Sequence, residues 1–190
     1  MDKPGRAFQA GPMSKLRIGI LGTGGMGGTH AERFRHNPDV EIAALGDVSS
    51  EILARFVTRM KLDELPVRPR LYTDPAAMFR EARLDAVAII TPHTLHFEHA
   101  MLAAEAGLHV FMEKPMVTSA QQAHALAARF KGTGKIFTIG YNTPCSPEFV
   151  FDLVDHQSQP FTRELAARQQ RADTFGKPLD VFSRDLASLA

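Results

Sequence analysis

Six short apolar runs recur between residues 16 and 139, each closed by glycine or a polar turn and separated by segments of helical character. They lie at 16–21, 40–45, 71–72, 86–90, 108–112 and 136–139. The longer runs are apolar throughout rather than alternating, which is how strands read when both faces of a parallel sheet are covered by helices. Helices are expected at 25–36, from Ser49 or Ser50 to about Met60, from Asp74-Pro75 onward, at 95–106 before Gly107, and from Thr118 or Ser119 to Phe130 before Gly132 and Gly134. Pro66 and Pro69 make 61–70 a loop. The pattern predicts an α/β fold: a doubly wound, mostly parallel sheet with right-handed crossovers, whose ligand lies beyond the carboxyl ends of the strands. The domain is expected over 14–145, behind a loose arm at 1–13 and ahead of a short helical tail at 146–190.

Composition narrows the function classes. Lys and Arg number 22 against 21 Asp and Glu, and there is no basic run suited to nucleic acid or an anionic membrane. Cys145 is the single cysteine, so no internal disulfide forms, which fits a reducing compartment. No apolar run approaches the roughly 18 residues of a membrane span. Met1 to Pro12 lack the apolar stretch of a secretory signal, and Met13 reads as a more natural start. The expected setting is the cytoplasm.

Two motifs point to a nucleotide. Gly22-Thr23-Gly24-Gly25-Met26-Gly27 spells G-x-G-x-x-G directly after the first strand and at the opening of a helix. Gly22 permits the tight turn, Gly24 lets backbone approach a pyrophosphate, and Gly27 lets the helix pack on the strand. Backbone N–H groups and the helix dipole then face the phosphates. Asp47 closes the second strand 20 residues beyond Gly27, where a carboxylate accepts hydrogen bonds from the adenosine ribose. A methyltransferase using S-adenosylmethionine would show the same two features.

Two further motifs follow the fourth and fifth strands, at the carboxyl ends where a ligand belongs: Thr91-Pro92-His93-Thr94-Leu95-His96 and Glu113-Lys114-Pro115. Together with Gly140-Tyr141-Asn142 after the sixth strand, they make residues 16–142 resemble the N-terminal half of the Gfo/Idh/MocA-type sugar oxidoreductases. The resemblance implies a nicotinamide cofactor and a polyhydroxylated substrate, a sugar or cyclitol. It implies that Lys114 lies near the nicotinamide and the reacting hydroxyl, and it argues against the methyltransferase. The cofactor-binding set it implies is Gly22, Thr23, Gly24, Gly25, Met26, Gly27, Asp47, Thr91, Pro92, His93, His96, Glu113, Lys114 and Asn142. Asp47 favours NAD over NADP, because no arginine among Val48, Ser49 and Ser50 would offset the extra phosphate.

The catalytic candidate is Lys114. Oxidising an alcohol removes a hydride and a proton; an ammonium beside the oxygen stabilises the developing negative charge and joins a proton relay. Glu113 reads as an orienter rather than a base, and Pro115 is a candidate cis proline. His93, His96 and His99 recur at three-residue spacing, as zinc ligands can. No carboxylate or cysteine set completes such a site, so no metal is expected. His96 is expected to pack and hydrogen-bond near the cofactor, His93 and His99 to be partly exposed, and His30 to lie on the helix surface.

The resemblance also implies a second, mostly antiparallel domain that supplies the substrate pocket, the subunit interface and an Asp-x-x-x-His pair. Only 48 residues follow Asn142. Asp152 and His156 have that spacing but no glycines before them, and read as coincidence. Residues 161–172 suit a charged helix with Phe161 and Leu165 on one side, and Leu179, Phe182, Leu186 and Leu189 form an amphipathic stripe. A fragment, a frameshifted product and a degenerate relative all fit. Two readings stay open: the cofactor part of an oxidoreductase, and a non-catalytic dinucleotide-binding module. Oligomeric state is left open, since the implied interface lies in the second domain.

Overall fold

The computed structural model describes residues 14–141. The expected features at 1–13, Asn142, Cys145 and the tail at 146–190 lie outside the described residues. Strand and helix alternate as β1 (Leu16–Leu21), α1 (Gly25–Arg35), β2 (Val40–Gly46), α2 (Ser50–Arg59), β3 (Arg70–Tyr72), α3 (Pro75–Glu81), β4 (Ala86–Ile89), α4 (His96–Glu105), β5 (His109–Met112), α5 (Ala120–Phe130) and β6 (Phe137–Ile139). Residues 61–70 are less plain than a loop: Leu62–Glu64 form a 3-10 turn that buries Leu62 under α2.

The strands form one sheet in the order β3-β2-β1-β4-β5-β6, and each of the five pairings is parallel. The chain therefore winds outward from β1 to one edge, returns to β4 beside β1, and winds to the other edge. The crevice opened by that reversal lies beyond the carboxyl ends of β1 and β4. Register aligns those ends. Gly46 pairs with Tyr72, Leu21 with Gly46 and with Ile89, Ile89 with Met112, and Met112 with Ile139. One row of residues thus crosses the sheet, and each sequence motif begins within two residues of it.

Two-residue periodicity sorts side chains between the two faces. Ile18, Ile20, Ala86 and Ala88 join Phe34 of α1 and Leu53 and Phe56 of α2 in one core. Leu21, Val87, Ile89, Val110 and Met112 join Met78, Phe79, Ala100, Ala103, Leu126 and Phe130 of α3, α4 and α5 in the other. Each fully buried Ile, Leu or Phe contributes about 1.5–3 kcal/mol, so a slip of one residue in a central strand would exchange two cores at once. Helix starts follow the local chemistry. Ser49 accepts from Glu51 N and Ile52 N, Asp74 accepts from Ala76 N ahead of Pro75, and Ser119 accepts from Gln122 N. Gly107 ends α4 with φ +70°. Among the described residues no helix is long and apolar enough to cross a membrane.

Candidate dinucleotide and reaction site

The turn between β1 and α1 needs its glycines for different reasons. Gly22 has φ +100°, and a Cβ there would lie 2.5 Å from Ile90 O. A Cβ on Gly27 would lie 2.3 Å from Gly22 O, so only glycine lets α1 sit against the end of β1. Gly24 and Gly25 differ: a Cβ on either meets nothing within 4 Å. They face open space at a helix start with no side-chain cap and no acidic residue in its first turn. Free N–H donors, the positive end of a helix dipole and a clear approach are what a pyrophosphate requires. The residues present therefore fit the phosphates of a dinucleotide.

Asp47, just beyond β2, is tied to this turn. Thr23 donates to its Oδ2 from the backbone N at 2.8 Å and from the hydroxyl, while Val48 N donates to Oδ1 at 2.8 Å. A carboxylate has about four acceptor positions, so one on Oδ1 remains for a ribose hydroxyl. Thr23 is buried and Met26 is exposed. Arg59, at the end of α2, was not in the expected set. Its Nη2 donates to Thr23 O at 3.3 Å and Gly24 O at 3.4 Å, which brings a guanidinium to the phosphate turn. No local motif marks it, because it reaches the turn from 36 residues away.

After β4, Thr91 is half-buried and Pro92, His93 and Thr94 are exposed at the crevice mouth. His96 opens α4 and is 1% exposed. Its ring nitrogens lie 2.9 Å from Thr91 O and 2.8 Å from Pro115 O, so it joins the loops after β4 and β5. His99 lies one turn on, 7% exposed, with Nδ1 hydrogen-bonded to Thr91 Oγ1 at 3.0 Å. The expectation of a partly exposed His99 is corrected: it falls on the stripe His96, His99, Ala100 and Ala103 that α4 turns inward. Burial pushes the His99 imidazole below its ordinary value of 6.5; Glu98 opposes the shift and His96 adds to it. Among the described residues, no three His, Cys, Asp or Glu side chains gather as a metal site.

After β5, Glu113 is 8% exposed, and its backbone N donates to Ile89 O at 2.9 Å. Lys114 follows with an exposed side chain, and the Lys114–Pro115 peptide is cis, as expected. Glu113 Oε1 lies 2.7 Å from His30 Nε2, and Oε2 accepts from Lys114 N at 3.1 Å. His30 is therefore no surface residue. It is 3% exposed, because Gly27, His30, Ala31 and Phe34 form the inward stripe of α1. Gly140, beyond β6, leaves room for this group: a Cβ there would lie 2.8 Å from Phe111 Cζ and 3.5 Å from Glu113 Oε1.

A parallel sheet in this strand order, with a glycine turn at its point of reversal and an acid closing the next strand, defines a dinucleotide-binding Rossmann domain. Residues 16–141 match the Gfo/Idh/MocA family, described as an oxidoreductase family with an NAD-binding Rossmann fold, and the chain belongs to that family. It is similar to inositol 2-dehydrogenase of Paracoccus denitrificans, 31% identical over 137 residues, covering 71% of this chain and 39% of that protein. It is also similar to D-glucoside 3-dehydrogenase of Escherichia coli, 29% identical over 130 residues, covering 68% of this chain and 35% of that protein. In structure it resembles GenD2 from gentamicin A biosynthesis, solved in complex with NAD, with a TM-score of 0.66 at 26% identity over 80% of this chain and 42% of that one. The chain spans less than half the length of each of these relatives.

Proposed function

We propose that this chain is the cofactor-binding part of a dehydrogenase that oxidises a secondary alcohol of a sugar or cyclitol, with Lys114 as the proton-handling residue. The observation that carries this reading is the aligned row Gly46, Leu21, Ile89 and Met112. It sets Asp47, the glycine turn, Thr91-Pro92 and Glu113-Lys114 along one edge. From β1 to β5 that edge is about 10 Å wide, two inter-strand spacings. When bound, the nicotinamide supplies the hydride acceptor. Gly24 and Gly25 hold the pyrophosphate, Asp47 the ribose, and Thr91, Pro92 and His93 line the path towards Lys114. The Lys114 amine, after releasing a proton to solvent, accepts the hydroxyl proton as the hydride leaves the substrate carbon, and the ammonium so formed stabilises the charge on the substrate oxygen. The names of the two sequence relatives support a polyhydroxylated substrate. The expected role of Asn142 lies outside the described residues. A cytoplasmic setting is part of this reading, supported by one cysteine in 190 residues.

A module that holds NAD(H) without turnover is the second reading, favoured by the fit of the glycine turn and Asp47 to a dinucleotide, which does not depend on Lys114. Calorimetry with NADH and NADPH, followed by turnover with a panel of cyclitols and sugars, separates them. Binding, with cyclitol- or sugar-dependent reduction of NAD once the chain replaces the matching part of the Paracoccus denitrificans inositol 2-dehydrogenase, supports the dehydrogenase, and binding without reduction in that hybrid supports the module. No binding of either cofactor would defeat both.

A further inference from the structure

The reacting-end turn is gripped from both sides by buried histidines on two helices. On one side His30 Nδ1 is buried without a hydrogen-bond partner among the described residues. An N–H there would be an unsatisfied donor in the core, a costly arrangement. The ring proton therefore sits on Nε2, which donates to Glu113 Oε1 at 2.7 Å. The other carboxylate oxygen accepts from Lys114 N. Phe34 and Phe111 pack on the imidazole, with ring centroids 6.2 and 4.9 Å away, and hold it in place. On the other side, His96 lies within hydrogen-bond distance of Pro115 O and Thr91 O. Both of those partners only accept; a neutral ring donates to one and an imidazolium to both. Lys114 stands between the two gripped residues and is itself exposed.

We propose that His30 is a positioning residue for Lys114, acting through the Glu113 carboxylate, with His96 fixing the opposite flank through Pro115. The inference rests on the reading of Lys114 as the residue at the reacting end. Its consequence is mechanical. His30 lies five residues beyond Gly25 on α1, about 7.5 Å along the axis. The helix whose first turn faces the phosphates thus also sets the turn that carries the lysine. A displacement of α1 against the sheet would move Lys114 with it, and small misplacements of a catalytic group cost large factors in rate.

The test uses the 190-residue chain, hydrogen exchange of a peptide covering 112–118, and acylation of the Lys114 amine with and without saturating NADH. His30→Leu keeps an apolar filling but removes the donor. It should speed exchange in that peptide about tenfold, as expected for losing a buried hydrogen bond to a charged group, and leave peptides over 16–21 and 40–46 unchanged. His30→Gln, which restores an N–H donor, should return the wild-type rate. Unchanged exchange in His30→Leu, or a glutamine variant no better than the leucine one, would overturn the inference. NADH should also slow acylation of wild-type Lys114, and slow it less in His30→Leu at equal NADH occupancy. Absence of that protection in the wild-type protein defeats the placement of Lys114 at the nicotinamide, while the exchange data decide the grip separately.

Discussion

Asp47 Oδ2 accepts from both the backbone N and the hydroxyl of Thr23, 24 residues earlier in the chain. The acid expected to bind ribose is therefore also the strut that holds the phosphate turn against the end of β2. Removing it acts on folding and on binding together. Two part-buried bonds to a charged acceptor, at about 1.5–3 kcal/mol each, predict that Asp47→Ala loses roughly 3 kcal/mol of stability by urea denaturation. NADH affinity should fall more in Asp47→Ala than in Thr23→Val, which keeps the carboxylate. Equal losses would mean that Asp47 acts only on the turn.

The same carboxylate sets a cofactor preference. The additional phosphate of NADP would face Asp47, and juxtaposed like charges cost several kcal/mol. Arg59 is held on the carbonyls of Thr23 and Gly24 and does not bond Asp47. NADH should bind more tightly than NADPH when both are titrated at equal ionic strength. Tighter binding of NADPH would show that Arg59 or another cation reaches that phosphate.

Glycines of one motif should respond in opposite ways. Gly27→Ala drives a methyl group into Gly22 O and should destabilise by about 1–3 kcal/mol as α1 shifts. Gly24→Ala meets open space, so the fold should tolerate it while NADH binding weakens, because the methyl group occupies the approach of the phosphates. Melts and NADH titrations of the two variants check this. A Gly24→Ala protein with full affinity would mean that the pyrophosphate lies elsewhere.

Lys114 should matter to chemistry and not to holding the dinucleotide. Lys114→Ala is expected to bind NADH like the wild type, since the proposed holders of the phosphates and ribose are Gly24, Gly25 and Asp47. The 190-residue chain on its own should turn over sugars and cyclitols well below about 1 per second, an ordinary enzyme rate. Lys114, the proposed reacting residue, is exposed on one side of the crevice, and a dehydrogenase needs the reacting carbon held on both sides. Turnover at ordinary rates would place the opposite wall in residues 142–190 or in a second copy, and His156 would be the first residue to substitute.

Acid should weaken the fold through two histidines. Burial pushes His99 below 6.5, and burial together with Lys135 does the same to His109 against the pull of Asp85. His109 Nδ1 also accepts from Ile136 N, which requires that nitrogen to be unprotonated. Below about 6.5 the unfolded chain binds protons at these sites and the folded chain does not, so stability falls with pH until the depressed folded values are passed. Melts between pH about 5 and about 7.5 should show the wild type losing more stability than a His99→Gln, His109→Gln double variant. Parallel curves would mean that other groups carry the acid sensitivity.

Much of the fold is legible along the chain because each unit is local. A strand, the glycine or acid that ends it, and the cap of the next helix are specified within about a dozen residues, and five such units followed by a sixth strand leave few topologies. The candidate motifs are local too, each starting where an apolar run stops. His30 and His99 show where such reading fails. Both belong to inward stripes, Gly27-His30-Ala31-Phe34 and His96-His99-Ala100-Ala103, and the small residues in those stripes carry the signal. Imidazoles, one in the first stripe and two in the second, obscure it, because such a ring goes equally to a surface or to a satisfied buried site.

Along the chain, then, residue order sufficed for the parallel sheet, its two cores and the edge where the motifs meet, since apolar periodicity and turn chemistry act over short spans. Packing decided which side chains touch across that edge. Arg59 reaches the glycine turn from 36 residues away and His30 reaches Glu113 across 83. Those contacts depend on how α1 and α2 rotate onto the sheet and on how far a side chain extends, and no local pattern encodes either. The lysine's surroundings are a tertiary property for the same reason. A buried carboxylate needs a donor, and the docking of α1 on the sheet brings His30 Nε2 within 2.7 Å of Glu113.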